Sequence, residues 1–160
     1  GWFQGKMEFG PRSLGNRSII ASPINPEMKN IINKKIKKRE NFRPFAPSIL
    51  IEKKKDWFET YKPNLYMSAV EYIIKEKRKF VPAVTHFDGT GRVQDVKKNI
   101  NPKFYDLINE FYKKTNIPIL LNTSSNENEP IVNKPEEAID CFLRTEIDFL
   151  VLENFVLKKK

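Results

Sequence analysis

Apolar residues recur at helical spacing in three stretches of the chain. Met28, Ile31, Ile32 and Ile36 follow Asn25-Pro26, a capping side chain and a first-turn proline, so the spacing predicts a helix over 26–36. Asn101-Pro102 repeats the device ahead of Phe104, Leu107, Ile108, Phe111 and Tyr112, which predicts a second helix over 102–114. Pro135 opens a third, with Glu136 and Glu137 at its positive end and Ala138, Ile139, Phe142 and Leu143 facing inward. Between them lie short β-branched or apolar runs bounded by Pro, Gly or Asn. These predict strands over 18–22, 45–51, 67–74, 83–87, 92–96, 117–122, 149–152 and 155–157. Asp88-Gly89-Thr90-Gly91 reads as a tight turn between two of those strands.

Strand, helix, strand, further strands, helix, strand, helix and a closing hairpin make an α/β domain with a twisted mixed sheet flanked by helices. At 160 residues the chain is long enough for one domain with its own core, so 1–160 reads as a single domain. No repeat, low-complexity tract or domain break interrupts it, although Lys53–Lys62 and Lys75–Lys79 mark loops or a surface insertion. No apolar run approaches the roughly 20 residues of a membrane span. Gly-Trp-Phe-Gln at the start has neither the basic region nor the apolar stretch of a signal peptide, and reads as a chain cut from something larger. The single cysteine, Cys141, fits a reducing cytoplasm and lies on an apolar helix face as a small core residue.

The chain carries 29 Lys+Arg against 20 Asp+Glu, a net charge of +9 that favours anionic partners. Lysine runs such as Lys53-Lys54-Lys55 and Lys113-Lys114 read as solvated surface. Arginine is more telling because its planar fork suits phosphate. Arg12 and Arg17 lie in Gly10-Pro11-Arg12-Ser13-Leu14-Gly15-Asn16-Arg17-Ser18, either a plain loop or a backbone nest for an anion. Lys37 and Arg39, a K-x-R element with Arg43 just beyond, read as a charged surface after a helix or as one wall of a pocket. An extended segment would put both side chains on one face, and Phe42, Phe45, Ala46 and Pro47 would wall it.

Thr85-His86-Phe87-Asp88 holds the only histidine; with no cysteine or second histidine beside it, a transition-metal site is not expected. Asn122-Thr123-Ser124-Ser125-Asn126 reads as a strand-ending turn, or as a polar ligand loop at the carboxyl end of a strand. Ser124 lacks the G-x-S-x-G elbow of a hydrolase.

Four segments together resemble one family: GWFQGKMEFGPRSLGNRSI at 1–19, the K-x-R run at 37–47, PAVTHFDGTGRVQ at 82–94 and IPILLNTSSNENEPIV at 117–132. They are similar to the C-terminal, YrdC-like domain of the nodulation-type and antibiotic-type O-carbamoyltransferases. Relative to that pattern, Ser125 stands where an aromatic is usual and Ser13 where alanine is usual. The resemblance implies a module that takes ATP, with Mg²⁺ on the nucleotide, and carbamoyl phosphate to carbamoyl-adenylate. It makes Lys37 and Arg39 the catalytic, phosphate-binding pair, and Ser124 and Asn126 an S-x-N element. It places Arg12, Arg17, Arg43, Thr85, His86, Arg92 and Asn122 with them at the substrate and nucleotide site.

It also implies an N-terminal acyl-transfer domain as partner, with residues 1–16 as the junction and Trp2, Phe3, Met7 and Phe9 packing there or under the sheet end. A membrane role is not implied, and nucleic acid is not the expected ligand. A basic RNA-binding YrdC-like module without carbamoyl chemistry is the competing reading, resting on charge and aromatics. An interaction domain that has lost its chemistry is a third.

Overall fold

The computed structural model describes residues 1–159. In chain order the elements are β1 (Trp2–Phe3), β2 (Arg17–Ala21), α1 (Met28–Lys35), β3 (Ala46–Leu50), β4 (Glu71–Tyr72), β5 (Thr90–Gly91), β6 (Gln94–Val96), α2 (Pro102–Thr115), β7 (Ile119–Ser124), α3 (Pro135–Arg144), β8 (Phe149–Leu152) and β9 (Phe155–Lys158). Short 3-10 segments cover Ile51–Asp56, Lys75–Phe80 and Pro82–Val84. The class is the mixed α/β expected. The elements fall into two compact units, one built from Gly1–Ile20, Asn30–Arg43 and the chain from Asn122 onward, the other from Ala21–Lys29 and Pro44–Leu121.

In the first unit β2, β1, β8 and β9 lie side by side in that order. β1 runs antiparallel to β2, pairing Trp2 with Ser18, and parallel to β8, pairing Trp2 with Val151. β8 and β9 close the predicted hairpin, Phe149 opposite Lys158. α3 packs on β8 and buries Ala138, Cys141 and Phe142, so Cys141 is the core residue expected. Its N-terminus is capped from within. Glu137 Oε2 accepts the N–H groups of Asn133 at 2.7 Å and Lys134 at 3.2 Å, satisfying donors that a helix start leaves open. Phe3 of the N-terminal apolar group is buried whereas Phe9 is fully exposed, so that group does not pack as one.

In the second unit β3 and β6 pair in parallel, Ile49 opposite Asp95. The Leu50 N–H reaches Pro118 O at 3.2 Å, just ahead of β7. α2 packs on β3 with Phe104 and Ile108 fully buried; a Phe so buried contributes about 1.5–3 kcal/mol. Asn101 Oδ1 caps α2 by accepting from the Phe104 N–H at 3.2 Å, as the sequence predicted. Asn116 ends it in the left-handed region at φ 59°. β7 passes from this unit into the first, carrying Asn122–Ser124.

Three expectations are corrected. The predicted strand 67–74 shrinks to β4, because Asn64 Oδ1 accepts the backbone N–H of Ser68 at 3.0 Å and holds 64–68 in a turn. The predicted strand 83–87 is instead the 3-10 turn Pro82–Val84; Pro82 fixes φ and offers no ladder donor, so the hairpin with 92–96 does not form and only Gln94–Val96 remains as β6. The tight turn survives as a reversal closed by His86 N–H to Thr90 O at 2.8 Å, with Gly89 at φ +83°. Lys54, read as solvated surface, is only 3% exposed. Its ammonium lies 3.0 Å from both Glu71 Oε1 and Asp95 Oδ2, a buried triad inside the second unit.

Candidate active site

The K-x-R and S-x-N elements meet within the first unit. α1 ends at Lys35, and the chain turns: the Lys37 N–H bonds Ile32 O at 2.9 Å and the Arg39 N–H bonds Asn33 O at 3.0 Å. This is not the extended segment expected. The two cations share a face because Lys38, between them, sits at φ +43° and reverses the backbone. A cavity of about 670 Å³ opens there, lined by Lys37, Lys38, Arg39, Glu40, Arg43, Ser124, Asn126, Glu127 and Asn128.

Lys37 is 2% exposed. Its Nζ donates to Ser124 O at 2.5 Å, Ser124 Oγ at 3.2 Å, Asn126 O at 2.7 Å and Asn126 Oδ1 at 2.8 Å. Four acceptors share three protons, so no Lys37 proton is left over. Burial, and then the Arg39 charge, push its pKa down to about 7. Ser124 Oγ in turn donates to Asn126 Oδ1 at 2.6 Å. The S-x-N element is thus a cage of oxygens closed on the lysine.

Arg39 is oriented by Asn33, a fully buried residue of α1. Asn33 Oδ1 accepts from Arg39 Nε at 2.7 Å while its Nδ2 donates to Arg43 O at 2.9 Å. Burial and the Arg43 charge lower the Arg39 pKa. Arg43 reaches back to Glu40 at 2.8 Å, an exposed pair. The opposite wall is the loop Asn126–Glu129. Asn126 Nδ2 donates to Glu129 O at 2.6 Å, and Glu129 Oε1 and Oε2 accept the N–H groups of Glu127 and Asn128, both at 3.1 Å. Burial raises the Glu129 pKa, but those N–H groups and Arg144 outweigh it and bring it to about 2.

Arg144, at the end of α3, spans Glu127, Glu129 and Asp140. Sequence reasoning did not single out Asn33, Lys38, Glu127, Glu129 or Arg144. The one signal available was Asn33, a polar residue set beside the apolar stripe of α1 and five residues before Lys38.

The other predicted site residues are not among those that line this cavity. Arg17 is 4% exposed and donates to the carbonyls of Gln4 at 2.9 Å, Asn16 at 3.1 Å, Gly5 at 3.0 Å and Asn133 at 3.2 Å. Its guanidinium stacks 3.5 Å from the Phe3 ring centroid. It does not line the cavity. Arg12 is exposed on the loop between β1 and β2 and does not line it either. The nest in that loop is filled from within: Glu8 Oε1 accepts the N–H groups of Leu14 and Asn16, both at 2.7 Å. Asn122 Nδ2 donates to Ser13 O at 3.2 Å. Ser125 is 3% exposed, so the position that is usually aromatic faces the core of this unit.

Thr85, His86 and Arg92 belong to the second unit. Thr85 Oγ1 donates to Val81 O at 2.9 Å. His86 and Asp88 do not pair directly but through Thr90, whose Oγ1 donates to Asp88 Oδ1 at 2.7 Å and stands 3.0 Å from His86 Nδ1. The network therefore assigns the proton to Nδ1 and leaves Nε2 as an acceptor. Burial lowers the His86 pKa. Arg92 is half-buried between β5 and β6.

Among the described residues no three His, Cys, Asp or Glu side chains gather as metal ligands, and no helix is long and apolar enough to cross a membrane.

Comparison with known proteins matches residues 1–159 to the family model described as carbamoyltransferase C-terminus. The chain is 48% identical over 164 residues to nodulation protein NolNO of Sinorhizobium fredii, covering 100% of this chain and 24% of that protein. It is 46% identical over 164 residues to nodulation protein NolO of Bradyrhizobium diazoefficiens, covering 100% of this chain and 30% of that protein. Against nodulation protein U of Sinorhizobium fredii the figures are 42% over 125 residues, 78% and 22%. The chain spans less than a third of the length of these relatives. A match along its whole described length, together with relatives of this identity, places the chain in the carbamoyltransferase C-terminus family.

Proposed function

We propose that this chain is the C-terminal module of an O-carbamoyltransferase, binding ATP and carbamoyl phosphate: water cleaves carbamoyl phosphate to carbamate and phosphate, and a carbamate oxygen then attacks the α-phosphorus of ATP and displaces pyrophosphate to give carbamoyl-adenylate. A partner domain, the N-terminal acyl-transfer domain implied by the resemblance, then moves the carbamoyl group to an acceptor hydroxyl. The observation that carries this reading is the convergence of Lys37, Arg39 and Arg43 with Ser124 and Asn126 on one cavity. Those pieces are far apart in sequence and have no common structural task that needs so many cations.

The cavity suits phosphoryl chemistry by position and charge. Arg39, held by Asn33, presents a fork whose direction is already set. Lys37 places a positive charge behind the Ser124-Asn126 loop, where it lowers the energy of an anion on the cavity side. Catalysis of this kind needs little covalent work from the protein; it rests on holding the reacting oxygens in line and offsetting their growing charge.

Mg²⁺ would arrive with the nucleotide. The cavity wall gathers no cluster of three metal-binding side chains among the described residues, which fits an ion held mainly by phosphate and water rather than by a protein cage. The reading sets the module in the reducing cytoplasm, where an unpaired Cys141 is stable.

The test is a pulse of ATP and labelled carbamoyl phosphate with the full-length protein, followed by separation of the adenylate. The expected result is an adenylate that accumulates without an acceptor. No adenylate, together with RNA binding that millimolar ATP does not displace, overturns the proposal in favour of a nucleic-acid module.

A further inference from the structure

The residue between the two cations of the K-x-R element is itself a lysine, and it is held differently from its neighbour. Lys38 occupies the left-handed region at φ +43°, a conformation that residues other than glycine rarely adopt. Its side chain lines the same cavity as Lys37, Arg39 and Arg43. Lys37 has every proton engaged and is buried. The Lys38 side chain is 56% exposed and its Nζ stands 3.2 Å from one oxygen, Glu127 Oε1.

Exposed pairs of this kind are weak, and a polyphosphate is a stronger competitor for an ammonium than one carboxylate. Glu127 is not exposed in the same way: its side chain is 11% exposed, and its second oxygen, Oε2, lies 3.2 Å from Arg144 NH1. Arg144 is fixed in its turn by Glu129 and, at 2.9 Å, by Asp140. A buried carboxylate stripped of every partner is expensive, but this one keeps Arg144 when Lys38 departs.

We propose that Lys38 is the exchangeable cation of the cavity: it leaves Glu127 for a phosphate group of the bound nucleotide, while Arg144 keeps the Glu127 charge paired. Lys37 is then the fixed side chain that joins the two elements, and Lys38 the mobile cation that meets the ligand. The inference rests on the reading of the cavity as a phosphate site, and it adds a binding residue that the K-x-R pattern itself leaves unspecified.

Calorimetric titration of the full-length protein with ATP at one fixed salt concentration tests it, with melting temperatures as the control for folding. Lys38→Gln weakens ATP binding, by about threefold to tenfold. Glu127→Gln tightens it, by about twofold to threefold, because Lys38 no longer has to leave a charged partner. In a Lys38→Gln background the Glu127→Gln gain disappears.

A strap that merely holds the cavity walls together gives the opposite sign, with Glu127→Gln loosening ATP, and that result overturns the exchange. A gain that persists in the Lys38→Gln background is a general charge effect and overturns it too. Should Glu127→Gln fail to fold, Lys38→Gln decides alone: weaker binding supports the exchange, unchanged binding ends it. Absence of ATP binding by the wild-type protein removes the phosphate-site reading itself, and the exchange with it. Binding by the wild type with no response to either variant removes only the exchange.

Discussion

The Lys37 ammonium takes hold of Asn126 twice, 2.7 Å from its backbone carbonyl and 2.8 Å from its side-chain amide oxygen, across 89 positions of sequence. One residue thereby ties the segment after α1 to the loop after β7. Lys37→Ala is expected to lower adenylate formation at least about a hundredfold, the usual effect of removing a preorganised charge. It also strands buried oxygens, so stability falls by about 2 kcal/mol in urea unfolding. Ser124→Ala removes one neutral hydroxyl and costs about 1 kcal/mol. Wild-type adenylate yield from a folded Lys37→Ala protein would rule out a role for this cage.

The low Lys37 pKa gives a pH dependence with a definite sign. An ordinary lysine titrates at 10.5 and Lys37 at about 7. Below 7 both the folded and the unfolded chain hold the proton; between about 7 and 10.5 only the unfolded chain does. This group therefore makes stability rise with pH through that window and level off above it. Lysine-selective ¹³C NMR would show the titration directly. Arg39→Gln should raise the Lys37 pKa, since a neighbouring positive charge is the second cause of its depression. An unmoved midpoint in that variant would show that Arg39 does not act on Lys37.

Arg17 is expected to act through the fold. Its guanidinium donates to four carbonyls and stacks on Phe3. Arg17→Met keeps the stem but leaves those carbonyls short of donors, and the loss should be about 3 kcal/mol. Urea unfolding midpoints check the size. ATP affinity measured well below the melting temperature should change less than it does in Arg39→Gln; the reverse order would put Arg17 at the ligand.

Lys54→Met should be among the most damaging single changes in the second unit. It leaves the buried carboxylates of Glu71 and Asp95 without their shared cation, a situation that costs about 3–5 kcal/mol. The triple change with Glu71→Gln and Asp95→Asn should recover much of that loss, because no uncompensated charge remains. Thermal unfolding of the two proteins gives the comparison.

Periodicity located all three helices, because each has an apolar stripe and a proline at its start or within two residues of it. It failed at 67–74 and 83–87, where turns that Asn64 and Pro82 impose take the place of extended strand and leave Val70, Tyr72 and Phe87 exposed. The K-x-R and S-x-N elements were legible as types, but not the reason they face each other. That reason is a left-handed lysine, a rare conformation that nothing in a lysine's chemistry announces. Nor could the sequence separate surface from buried lysine in Lys53-Lys54-Lys55, since the acids that hold Lys54 lie 17 and 41 positions away. The partners of Arg17 are backbone carbonyls, which leave no trace in residue type at all.

Glu8 gives the loop of Gly10 to Asn16 a built-in occupant. A tethered carboxylate of this kind competes at an effective concentration in the millimolar range, with no dilution to escape through. A free anion of equal affinity must exceed that standing level before it can displace the side chain. The Leu14 and Asn16 donors are therefore engaged before any ligand arrives, and an anion already anchored elsewhere on the protein competes for them on better terms than one free in solution.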